Sequence, residues 1–100
     1  MRRPRAKTLV LLALGALLAA GVLARIRLAP QAEIGAGFVA KQVCSCIFVG
    51  GRDEAACRLD LGPDLAPVRS EQLADGVHAW VPLLASRNAR FREGTGCTLD

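Results

Sequence analysis

Among its 100 residues the chain has one histidine, His78, and two lysines, Lys7 and Lys41. That scarcity removes most of the general bases on which nucleophilic catalysis draws. None of Ser45, Ser70 and Ser86 starts a Ser-x-x-Lys pair, because Phe48, Leu73 and Ala89 stand three residues further on. Gly-x-Ser-x-Gly, His-Glu-x-x-His and phosphate-binding glycine-loop patterns are missing as well. The residues therefore point away from an enzyme and from a bound cofactor, and His78 reads as a surface or packing residue of a strand.

A second lack is of net charge beyond the first apolar run. The chain carries +4 overall, but Arg2, Arg3, Arg5 and Lys7 precede that run, and Arg25 to Asp100 holds nine basic against nine acidic side chains. With no electrostatic footprint for phosphate, nucleic acid is not an expected partner. The basic cluster bears on topology.

What is present is a run of 17 uncharged residues, TLVLLALGALLAAGVLA, from Thr8 to Ala24. A bilayer core of about 30 Å needs roughly 17 to 25 such residues in a helix, so the run is long enough to span. Four cations before it and Arg25 and Arg27 after it place the amino terminus in the cytoplasm and the remainder outside. Val22-Leu23-Ala24 also offers a small-x-small cleavage site, so secretion to the periplasm after signal cleavage is the alternative. Either reading exports the rest. Arg25 to Gly37, with Pro30 and two glycines, reads as a juxtamembrane linker or as the lead-in to a first helix.

Beyond residue 30 only 70 residues are left to build a core, few enough that a staple is expected. Cys44, Cys46, Cys57 and Cys97 are an even set in an exported segment, which reads as two disulfides. Four cysteines permit three pairings, and their spacing does not choose among them. From Phe38 to Val49 a strand would put Cys44 and Cys46 on one face. A helix gathers Val39, Val43, Cys46, Ile47 and Gly50 into a stripe, sends the two cysteines to different partners and stops at Gly50-Gly51. The helix suits the length of the segment better. Arg52 to Arg58 reads as a short second helix capped by Asp53, and folding back on the first it would bring Cys57 near Cys46.

From Val68 the period approaches two. Val68–Ala74 and Val77–Leu84 flank Asp75-Gly76, a pair suited to a type I′ turn. Val77, Ala79, Val81 and Leu83 are expected on one face with His78, Trp80 and Leu84 on the other, and Pro82 argues for an edge strand. Asn88–Arg92 supplies a third strand, and Glu93–Gly96 a flexible loop that delivers Cys97. A redox or metal role for the thiols is the sharper alternative to disulfides. It lacks a Cys-x-x-Cys pair and the paired knuckles of a zinc site.

Two stretches, GFVAKQVCSCIFVGGRDE (Gly37 to Glu54) and REGTGCTLD (Arg92 to Asp100), resemble the leading segment of bacterial serine hydrolases related to class C β-lactamases. The resemblance matches Cys44 and Cys97 to that family's two cysteines and so implies their pairing, with Cys46 and Cys57 an additional pair in this chain. It also implies a helix for the first stretch. The family's catalytic motifs have no counterpart in this sequence, so no catalytic residue is carried over.

The expected architecture is α+β: an amino-terminal transmembrane helix, then a small disulfide-stapled domain of one or two helices and a short antiparallel β-meander. Its divisions are a cytoplasmic basic region (1–7), an anchor or signal segment (8–24), a linker (25–36) and a periplasmic domain (37–100). The expected partners are the lipid bilayer and a periplasmic hydrolase or envelope protein. The expected role is a non-catalytic, membrane-anchored module, with a truncated or split hydrolase and a thiol redox or metal-binding envelope protein as alternatives.

Overall fold

The computed structural model describes residues 5–100. Arg2 and Arg3, which begin the expected basic region, lie outside them. The element order is a 39-residue helix α1 (Ala6–Cys44), a π-helical turn (Ser45–Val49), α2 (Glu54–Leu59), a 3-10 turn (Pro63–Leu65) and four strands, β1 (Arg69–Leu73), β2 (Gly76–Val81), β3 (Ala85–Arg92) and β4 (Gly96–Leu99).

The first half of α1 is alanine and leucine with few interruptions, and good helix formers of this kind need no partner to hold backbone geometry. Every residue from Ala6 to Arg27 is exposed. This helix contains an apolar stretch long enough to cross a membrane, and none of that stretch is buried by the protein. Gly15 and Gly21 touch nothing, so no packing explains them, whereas glycine is ordinary in helices that face lipid.

The segment from Arg25 to Ala36 is not an irregular linker. It takes the lead-in course and is helical throughout, with Pro30 inside α1. Pro30 removes one backbone hydrogen bond, but helix formers flank it, and tertiary packing of one helix face overrides the local penalty. That face is a row of small residues. Ala29 and Ala32 are half-buried, and Ala36, Val39, Ala40 and Val43 are fully buried beneath the sheet.

The sheet is an antiparallel meander in the order β1-β2-β3-β4. Val77 and Ala79 of β2 and Ala89 of β3 point at α1 and are inaccessible to solvent, and Val68 and Cys97 complete the core from either side. Glu33 of α1 pairs with Arg87 of β3 at 3.3 Å. The largest fully buried side chains apart from cysteine are three valines. At roughly 1.5 to 3 kcal/mol each, such a core is thin against the ordering cost of a domain this size.

Three local expectations change. Leu73 pairs with Gly76, so the first hairpin turns on Ala74-Asp75, and neither residue has the positive φ of a type I′ turn. Gly76 belongs instead to β2, where an added Cβ would overlap the Ala89 carbonyl oxygen of the neighbouring strand. The glycine thus serves close approach between β2 and β3. Arg90 closes the same turn by donating from Nη1 to Asp75 Oδ1 at 2.6 Å. The Asp75 and Asp100 carboxylates raise the Arg90 guanidinium above its ordinary value.

Second, β2 is paired on both sides and is no edge strand; Pro82 falls just beyond its last residue, where no ladder bond is lost. Leu83, expected on one strand face with Val77, Ala79 and Val81, lies in the β2–β3 turn with φ 66°. Third, Gly96 opens a fourth strand, in which Cys97 pairs with Phe91. Gly94 and Gly96, both at positive φ, make the tight turn that returns the chain.

Replacing Gly76 by alanine is expected to lower stability by about 1 to 3 kcal/mol, the usual cost of forcing atoms into a packed site. Thermal unfolding of the detergent-solubilised full chain, followed by circular dichroism, checks the sign.

Candidate functional site

The chemistry-bearing side chains gather where α1 ends. At Ser45 the helix widens into a π turn, with Gly50 N–H donating to the Ser45 carbonyl at 3.0 Å. Such turns arise where neighbouring side chains are held to incompatible directions. Cys44 meets Cys97 of β4 with Cα atoms 6.1 Å apart, while Cys46 meets Cys57 of α2 with Cα atoms 5.9 Å apart. Both separations suit a disulfide. Phe48 stacks on Phe91 of β3, with ring centroids 5.5 Å apart. Three commitments thus fall within five residues. A Cβ at Gly50 would come within 2.7 Å of the Cys46 carbonyl oxygen, so the chain leaves the turn through glycine.

Asp53 caps α2, its Oδ1 accepting from the Ala56 N–H at 2.7 Å. The cap sets the angle at which α2 crosses back, which places Glu54 and Arg58 beside the start of β1. An open hollow of about 480 Å³ results, lined by Glu54, Ala55, Arg58, Arg69, Ser70 and Trp80. Ser70 Oγ donates to Glu54 Oε1 at 3.2 Å, and Arg58 Nη2 donates to the Val68 carbonyl at 2.5 Å. Arg58 Nη1 is buried with no acceptor. The hollow therefore sets two guanidinium groups and one carboxylate in a lining whose accessible surface is mainly apolar.

Of the serines, lysines and histidine weighed in the sequence for catalytic chemistry, Ser70 alone reaches this hollow. Its register partner is Ala79, whereas His78 pairs with Glu71, so strand alternation puts Ser70 and His78 on opposite faces. His78 is half-buried, stacks on Trp80 with centroids 5.2 Å apart, and bonds through Nδ1 to Asn88 Oδ1. Ser45 lies in the π turn and Ser86 opposite Trp80 on β3. Lys7 and Lys41 are exposed on α1, neither of them in the hollow. Among the described residues no three histidine, cysteine, aspartate or glutamate side chains converge on a point that would hold a metal ion.

The chain matches no family model, no curated protein and no solved structure. Function is accordingly argued from geometry. The hollow was not legible in the sequence: Glu54 and Arg58 share one face of α2, but they meet Arg69 and Trp80 only because α2 folds back. The one local signal was the Asp53 cap, which fixed where α2 begins.

In a chain-entropy account the Cys44–Cys97 link, spanning 53 residues, is worth about 4 kcal/mol, and the Cys46–Cys57 link, spanning 11, about 3 kcal/mol. Cys44 is also wholly buried. Melting of the two double alanine variants is expected to show the larger loss for Cys44→Ala/Cys97→Ala.

Proposed function

We propose that this chain is a non-catalytic module held in the bacterial inner membrane by a single helix, with its disulfide-bonded domain on the periplasmic side. The observation that carries the reading is the division of α1. Its first half is apolar and wholly exposed, whereas its second half is the floor of a cystine-stapled domain. An exposed apolar surface of that length has a large transfer penalty in water and none in lipid. Arg5 and Lys7 before the run, and Arg25 and Arg27 after it, bracket the span. In this reading the domain serves a periplasmic hydrolase or envelope protein as a fixed attachment rather than performing chemistry itself.

A second reading is favoured by the two motifs in Gly37–Glu54 and Arg92–Asp100. On that reading the chain supplies the leading segment of a serine hydrolase, and a catalytic part bearing Ser-x-x-Lys docks on it. Inspection of the adjoining coding sequence for such a region separates the two.

Expression of the full chain in a Gram-negative host tests the anchor. It is expected in the membrane fraction after alkaline carbonate extraction, and a phosphatase that requires disulfides is expected to be active when fused after Asp100. A maleimide probe is expected to add to no cysteine before reduction and to four after it. Release by carbonate, or labelling of unreduced protein, overturns the reading.

A further inference from the structure

The turn between β2 and β3 is built at an avoidable cost. Leu84 N–H donates to the Val81 carbonyl at 3.0 Å, closing a four-residue turn with Pro82 in its second position. The third position of this turn has a positive φ, as in a type II turn, where glycine or asparagine is the ordinary residue. Here it holds Leu83, the one non-glycine residue of positive φ among the described residues, and its side chain is 91% exposed. A strained, solvated leucine is disfavoured in water on both counts. A group outside the domain that received the side chain would offset that cost.

The position of the turn indicates what. Arg25, the first charged residue after the apolar run, lines one shallow hollow together with Trp80, Pro82, Leu83, Leu84 and Ser86. The β2–β3 tip therefore stands beside α1 at the level where the exposed apolar surface from Thr8 to Ala24 ends. Leucine at the tip, the indole of Trp80 opposite Ser86 in the next part of the ladder, and Arg25 and Arg27 on the helix bring together apolar, amphipathic and cationic groups. That is the combination which suits acyl chains, glycerol backbone and phosphates in turn.

We propose that Pro82-Leu83-Leu84 enters the outer interface of the same bilayer that α1 crosses, with Trp80 at headgroup level. The proposal rests on the membrane-anchor reading and adds a second point of attachment. The domain then sits against the membrane at a fixed height and orientation instead of swinging from one helix. Lipid is chosen over a protein occupant because the tip continues the surface of α1 that the anchor reading already gives to lipid.

Trp80 is the chain's single tryptophan and serves as the probe. The full chain is reconstituted in phosphatidylcholine–phosphatidylglycerol vesicles, with and without lipids brominated near the glycerol end of their acyl chains. Trp80 emission is expected to be blue-shifted and quenched by these bromines. Quenching is expected to fall about twofold in Leu83→Asp, whose exposed position leaves the fold intact, and to persist in Leu83→Met. Carbonate extraction of the same vesicles reports α1 independently. A chain that resists extraction but shows no quenching, or one shielded only in native membranes that contain other proteins, overturns the tip insertion and leaves the anchor standing. A chain released by carbonate overturns both.

Discussion

Cys44 is the last residue of α1, at the end of its core-forming half, and the rest of the domain depends on what it joins. It is wholly buried and lies within disulfide distance of Cys97 on β4, the last strand in the chain. The other side chains at this interface are mainly valine and alanine, which pack closely but remove little apolar area from water. A four-stranded meander on one helix would be marginal on that burial alone. A link across 53 residues restrains the unfolded chain most strongly at the place where the folded one has least to offer.

The small residues have a second consequence. Ala36, Gly37 and Ala40 let the sheet approach α1 so closely that a Cβ at Gly37 would meet Leu99 at 3.3 Å. One continuous helix can then be membrane-facing along one half and sheet-facing along the other, with no flexible joint between them. The charge pair between Glu33 and Arg87 lies on this second half, within what composition suggested was a linker. A rigid joint of this kind fixes the domain relative to α1, and so makes the position of the β2–β3 tip a property of the fold.

Polar chemistry is confined to the edges of this arrangement. The hollow beside α2 holds two arginines, a glutamate and a serine, and the one histidine, on the other face of the sheet from Ser70, is engaged with Asn88 and with Trp80, which also lines the hollow. Alternation along β1 and β2 keeps Ser70 and His78 apart, since adjacent residues of a strand cannot share a face.

Composition and periodicity were enough for the features that depend on local chemistry. The uncharged run forms a helix long enough to span because alanine and leucine favour that backbone in any setting; Asp53 caps α2 because its carboxylate reaches the freed N–H of Ala56. Alternation from Val68 onward likewise put Val77 and Ala79 on one face, and that face is the buried one. Only the tertiary structure decided the rest. Pro30 is carried inside a helix because a packed face outweighs one missing hydrogen bond. Gly76 is in a strand, not a turn, because β3 passes where a side chain would stand, and Gly96 opens a fourth strand because β3 presents a free edge to it. The π turn, the hollow beside α2 and the placement of Leu83 next to Arg25 each require residues far apart in sequence to meet, and a linear pattern holds no record of such meetings.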